Sequence, residues 1–339
     1  MRRMFAALGM GALFLATFAI ATPASAGTIV VPPGGSINDA VASAQPGDVI
    51  QLEAGLYEDV VVIKTNDITI QGVGSGTDGS ILRPPADLPG RCFGGIAGIC
   101  IRGNGQTGTP VTGVTVTGVR AEGFIAFGLL ALLAENVTFE DDAAIDNGEY
   151  GLAAFESSGI VMRNNVASGN ALAGLYVGDS PDAAATLEGN DTSDSAYGFF
   201  LRDTKGGSVT GNTIHGNCIG VLLFDTSSPI HAARWSVVGN TIEDNSRFCR
   251  GGRNEPALAG IGVAIAGGRR NTVEGNLIQN NRTNRNVAFH GGVVLVRVEL
   301  VPKNNTVTGN TLIRNRPNIF TDGSGSGNVI ANNDCTPPC

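Results

Sequence analysis

The chain is 339 residues long, with 49 glycines, 15% charged and 6% aromatic residues. It is too apolar for a disordered polymer, and its glycines lack the Gly-X-Y register of collagen. A formal charge of −8 and the lack of a recognition motif argue against a nucleic-acid partner.

Residues 1–26 read as an export leader. Arg2 and Arg3 precede an apolar run from Phe5 to Ile20, and Ala24-Ser25-Ala26 offers a small-residue exit before Gly27. The mature chain, residues 27–339, is then expected to be secreted or held in the cell envelope, with no transmembrane segment. In that compartment cysteines pair rather than bind metal, and no Cys-x-x-Cys occurs. Nearness along the chain suggests Cys92 with Cys100, Cys218 with Cys249, and Cys335 with Cys339.

The first element is a short helix from Gly35 to Ala44. Ser36 can cap it, Ile37, Ala40, Val41 and Ala44 share one face, and Gln45-Pro46-Gly47 stops it. Three strand-like runs follow, Val49 to Leu52, Val60 to Ile63 and Ile68 to Gln71, and are read as one turn of a coil. The loop from Gly72 to Gly90 and the Cys92 to Cys100 loop are expected to break the rhythm.

Between Tyr150 and Asp225 one phrase, glycine followed by apolar residues, begins at Gly151, Gly174, Gly198 and Gly220, with steps of 23, 24 and 22 residues. A period in the low twenties leaves no room for a helix and predicts one solenoid coil per repeat. The Asn corners at Asn165, Asn190, Asn212, Asn240, Asn276 and Asn310 are expected to stack their amides along the axis.

The opening phrases Ser36-Ile37-Asn38-Asp39-Ala40, Gln45-Pro46-Gly47-Asp48-Val49-Ile50 and Gly55-Leu56-Tyr57-Glu58-Asp59 resemble those of right-handed parallel β-helix proteins of the pectate-lyase-like superfamily. The Gly-Asn-Thr-Ile phrases at Gly211 and Gly239 resemble its repeats. The resemblance implies an all-β chain, a single right-handed parallel β-helix solenoid with a short N-terminal capping helix, and a carbohydrate partner. It does not imply a reaction. A Gly-His-Gly phrase like that of polygalacturonases, an Asp-Pro-His-Glu phrase like that of alginate epimerases, and the pectinesterase phrases are all absent.

After Asn212 the Asn corners step by 28, 36 and 34 residues, so insertions emerge from Thr226 to Trp235, Ser246 to Ala259 and Arg282 to His290. In a solenoid such loops mark the working face. Alternation along the strands turns Phe155, Tyr176, Phe200, Leu222 and Phe224 outward. This stripe is either a platform on which sugar rings stack or a surface covered by the insertions. Trp235, Arg247, Arg250 and Arg253 are further candidates for glycan contact.

Glu156, Asp179, Asp203 and Asp225 occupy one repeat position and should form a column. Each precedes Ser or Thr, as in ordinary turn chemistry. Alternatively the column holds a cation, with Glu156 and Asp179 as ligands and calcium as the candidate. Charge is sorted along the axis: residues 27–201 carry a net −15, and residues 202–339 a net +5. A basic end on an acidic exported solenoid suits an anionic, uronate-type polysaccharide.

For a lyase, Arg202, Asp203, Asp225 and His231 form the best group, combining a base with positive charge for the enolate. For a glycoside hydrolase, Asp203 and Asp225 would be the paired carboxyls. The other expectation is a non-catalytic binding or scaffold protein of the envelope.

Overall fold

The structure is a computed structural model that describes residues 26–87, 92, 97–226, 229–252 and 256–339. Apart from Ala26 the expected leader lies outside the described residues, as does Arg253. No helix among the described residues is long and apolar enough to cross a membrane.

Three parallel sheets of twelve, eleven and ten strands run side by side along one axis, so that each coil contributes a strand to each. One full coil runs through Tyr150–Phe155 in the ten-stranded sheet, Val161–Arg163 in the twelve-stranded sheet and Val166–Ser168 in the eleven-stranded sheet. The next coil begins with Ala173–Gly178, whose residues pair one for one with Tyr150–Phe155. The solenoid is therefore in register.

The repeat glycine has a steric cause. A Cβ on Gly151 would stand 2.6 Å from the carbonyl oxygen of Gly174, and one on Gly198 would stand 2.6 Å from that of Gly220. At this corner each coil lies too close to the next for any side chain. Behind it Leu152, Leu175, Phe199 and Val221 stack inside the tube within one continuous core.

Among the described residues asparagine ladders line the interior in more than the one column expected. The predicted column runs Asn165, Asn190, Asn212, Asn240, Asn276, Asn310 and on to Asn333, each Nδ2 donating to the next Oδ1 at 2.9–3.0 Å. A second runs Asn217, Asn245, Asn281 and Asn315, and a third runs Asn271, Asn305 and Asn328. Each amide also binds backbone groups of its neighbours, so the corner turns stay satisfied inside an apolar tube.

The helix Ile37–Ser43 caps the first coils. Asp59 accepts hydrogen bonds from Ile37 N at 3.0 Å and Asn38 Nδ2 at 2.7 Å. Asn38 in turn donates to Val60 O and accepts from Val62 N, standing in for the strand that the ten-stranded edge lacks.

Two expectations need correction. The first coil contains Val49–Leu52, Gly55–Glu58 and Val61–Ile63, while Thr69–Gln71 pairs with Val49–Gln51 and begins the next. The run Gly55–Glu58 was passed over because Gly and Glu dilute its strand signal. The Gly72–Gly90 loop also contains a regular strand, Ser80–Arg83, in the eleven-stranded sheet. All three disulfides form as expected, and no described cysteine is free.

Candidate functional site

The outer face of the ten-stranded sheet carries a second apolar cluster, separate from the core. Tyr176, Phe200 and Leu222 do face outward, but they are buried among their neighbours. The Tyr176 ring lies 4.6 Å from Tyr150, 4.5 Å from Phe155 and 5.3 Å from Phe200. The rings cover one another, and Leu258 and Phe289, from two of the insertions, pack against the same cluster. Phe155, Tyr197 and Phe224 remain half-buried at its margin. Tyr176 and Phe200 therefore cannot stack on a sugar as they stand, which corrects the open-platform expectation. Burial pushes the Tyr150 and Tyr176 phenols far above the usual tyrosine range.

Trp235 is a second correction. It is buried in the core, with its Nε1 donating to Thr204 O at 3.1 Å and its ring against Gly207. It is the third residue of the strand Ala233–Val238, and alternation turns it inward.

The acidic residues do form a column at the corner that follows the ten-stranded sheet. The backbone N–H of Glu156 donates to Gly178 O, that of Asp179 to Arg202 O, and that of Asp203 to Phe224 O. Glu156, Asp179 and Asp203 have φ of 50°, 55° and 46°, a left-handed turn that Asp tolerates better than most residues. Their side chains serve different ends. Glu156 is exposed; Asp179 accepts from Arg202 Nη2 at 3.1 Å and from the Tyr176 hydroxyl at 3.3 Å. Asp203 is buried and accepts from both the N–H, at 2.8 Å, and the hydroxyl of Thr226. Among the described residues no three His, Cys, Asp or Glu side chains gather as a metal site.

The four residues expected to form one group fall into two pairs on adjacent coils. Asp225 is fully buried, and its carboxylate accepts from His231 Nδ1 at 3.1 Å, with Arg269 Nε at 3.9 Å. Arg202 Nε lies 3.7 Å from Asp203 Oδ2 on the preceding coil. A carboxylate only accepts, so the Nδ1 of His231 carries the proton and its Nε2 holds a lone pair when the ring is neutral. The imidazole is about a third exposed (34%), while its carboxylate partner is not exposed at all, the arrangement in which a histidine can exchange protons with a ligand.

His231 borders a cavity of about 400 Å3 lined by Lys205, Arg234, Arg269, Arg270 and Lys303, with no carboxylate among the described residues of its wall. Register explains the gathering. Lys205 pairs with Ala233, Ala233 with Arg269, and Arg269 with Lys303, each seven residues before a ladder asparagine. Counting back from Asn212, Asn240, Asn276 and Asn310 would have revealed Lys205 and Lys303, which the sequence reading missed.

The arginines of the insertion-bearing half are divided between two places. Arg269 and Arg270 lie at this corner, whereas Arg282 lines a different cavity with Ser246, Asn280 and Arg316. Arg247 donates to Asp194 O, Arg250 is exposed in the same insertion, and Arg285 sits over the Phe248 ring at 5.3 Å.

Comparison with known proteins agrees with this architecture. No curated protein sequence matches the chain. Among solved structures, the A-module of a mannuronan C-5 epimerase from Azotobacter vinelandii is similar at 16% identity and a TM-score of 0.59, over 88% of this chain and 90% of that one. The C387A mutant of DFA-IIIase from Arthrobacter chlorophenolicus, in complex with DFA-III, is similar at 15% identity and a TM-score of 0.60, over 92% and 93%. A periplasmic alginate epimerase is similar at 13% identity and a TM-score of 0.59, over 91% and 76%. At these identities the likeness concerns the fold. The family described as "right handed beta helix region" matches residues 97–336, and the chain belongs to that family.

Proposed function

We propose that the protein is an exported polysaccharide-binding β-helix whose ligand is an anionic, uronate-type glycan held in the groove beside His231. The observation that carries this reading is the wall of five cations, without a carboxylate among its described residues, set against the buried Asp225–His231 pair. Guanidinium groups match carboxylates in geometry and charge. The similar solved structures include proteins named as a mannuronan C-5 epimerase and an alginate epimerase, which supports a uronate ligand. The three disulfides support an oxidising compartment.

The same group supports β-elimination. Arg269 and Arg270 would neutralise the uronate carboxylate and stabilise the enolate, and His231 Nε2 would take the proton from the adjacent carbon. The C–H bond breaks, a carbon–carbon double bond forms, and the glycosidic oxygen leaves with a proton from solvent. Asp225 orients the imidazole and stabilises its charged form. A purely binding protein is the second reading. It is favoured by the engagement of Asp179 with Arg202 and of Asp203 with Thr226, which occupies two carboxylates of the column.

The test incubates the purified protein with polygalacturonate, alginate and glycosaminoglycans, recording unsaturated uronate ends and electrophoretic retardation. Unsaturated product that disappears in His231→Ala supports the lyase. Retardation without product supports the binder, and neither signal on any of the glycans removes the proposal. Asp179 already has a guanidinium partner, so chelating calcium is expected to leave retardation unchanged; a loss would restore the acidic column as a cation site.

A further inference from the structure

The corner that carries His231 extends back toward the capped end, where it borders a second and larger cavity of about 940 Å3. Its wall includes Lys64, Arg102, Gln106, Leu132 and Glu156. Lys64 follows the strand Val61–Ile63 and Arg102 ends the strand Ala97–Arg102, on the two coils that open the ten-stranded sheet. Arg102 stands in register with Leu132, Phe155, Gly178 and then Arg202, so the two arginines share one column, four coils apart.

Neither Lys64 nor Arg102 has an ion-pair partner among the described residues. The neighbouring stretch 88–96 contains no acidic residue that would serve. The Arg102 Nε–H is shut away from solvent without an acceptor, whereas the buried Nε–H groups of Arg202 and Arg269 make no hydrogen bond but have the carboxylates of Asp203 and Asp225 at 3.7 and 3.9 Å. A buried donor left unmatched is a cost with no structural return. Here the unmatched donor belongs to Arg102, in the wall of the larger cavity. Gln106 and the apolar edge of Leu132 add the mixed lining that suits a sugar ring.

We propose that the Lys64–Arg102 cavity is a second anchor for the same anionic polysaccharide, engaged only by chains long enough to run along the corner. This rests on the reading of the His231 groove as a uronate site. From the coil of Arg102 to that of Arg269 there are six steps, and at about 4.8 Å each the anchors lie roughly 30 Å apart. A chain bound at one anchor presents its far end to the other at high effective concentration, so long chains gain affinity that short ones cannot. Glu156, exposed in the wall of this cavity two coils beyond Arg102 and without an ion-pair partner among the described residues, disfavours dense negative charge at that point of the path.

The experiment compares the affinities of labelled polygalacturonate for the full chain, using fractions too short to span the anchors and the long polymer. The wild-type chain is expected to hold the polymer at least about tenfold more tightly than the short fraction. Lys64→Ala with Arg102→Gln should abolish that excess and leave short-fraction binding as it was, whereas Arg269→Ala with Arg270→Ala should weaken both. Glu156→Gln, an exposed change that does not threaten the fold, should strengthen polymer binding alone. An unchanged polymer-to-oligomer ratio in the Lys64/Arg102 variant, or in Glu156→Gln, overturns the second anchor and leaves the His231 groove standing. Wild-type protein that binds neither fraction overturns both.

Discussion

Asp142 shows how one atom can change the chemistry of a ladder. It precedes Asn165 in the first column: its N–H donates to Asn165 Oδ1 at 2.9 Å, and its Oδ1 accepts from Val119 N at 2.8 Å. Its Oδ2 is buried without a partner, at the place where each following asparagine offers an N–H to a backbone carbonyl. Burial drives its pKa well above the ordinary carboxylate value, so the folded chain favours the acid form, whose O–H can donate as the amides do. The folded state then retains a proton that the unfolded chain loses from about pH 4 upward. Stability should therefore fall as pH rises from there until the folded-state carboxyl has ionised. Asp142→Asn is expected to raise the melting temperature at neutral pH and to flatten its pH profile, with the two proteins converging near pH 4. Thermal melts across that range would test this, and parallel profiles would refute it.

At the scale of the element, each ladder asparagine connects two coils. Asn212 accepts from both the N–H and the side chain of Asn190 and donates to Leu187 O and Asn240. Asn212→Ala should leave buried donors on Asn190 unmatched and cost about 2–4 kcal/mol, read by denaturant unfolding. Gly198→Ala should be at least as damaging, because its methyl group would meet Gly220 O and the Ile214 side chain. The repeat spacing made the stacked coils and the first ladder legible, because period and register are one-dimensional properties. Self-covering of the aromatic stripe was not legible, since it depends on how Tyr150, Phe155 and Phe200 tilt against Tyr176. Trp235 misled for a related reason. It follows an insertion, which made it look exposed, whereas strand alternation sends it into the tube. Asp225 and His231 could be brought together from sequence because only six residues separate them. The cations Lys205 and Lys303 needed the register to be counted from the asparagines.

At the scale of the whole molecule, charge is sorted along the axis, with an acidic first half and a basic second half. Glycan retention is expected to weaken steeply as salt rises from about 0.05 to 0.5 M, because the Debye length shrinks from well over 10 Å to a few ångströms. Retention that ignores salt would point to an apolar or neutral-sugar ligand instead. The cap has a global role as well. Asp59→Ala removes the acceptor that docks Ile37 and Asn38, so the helix should loosen and uncover the ten-stranded edge. Concentration-dependent aggregation, followed by light scattering, is the expected result, while the coils beyond the cap retain their circular dichroism.

Because Tyr150–Phe155 and Ala173–Gly178 superpose rung on rung, the segment 151–173 can be regarded as one graduation of a measuring rod. Excising it would rejoin Tyr150 to Gly174 with the glycine and asparagine corners still aligned, and would draw Arg102 and Arg269 together by about 4.8 Å. In this molecule, reach is inherited from the number of turns, and evolution or an engineer could lengthen or shorten the grasp without altering either hand.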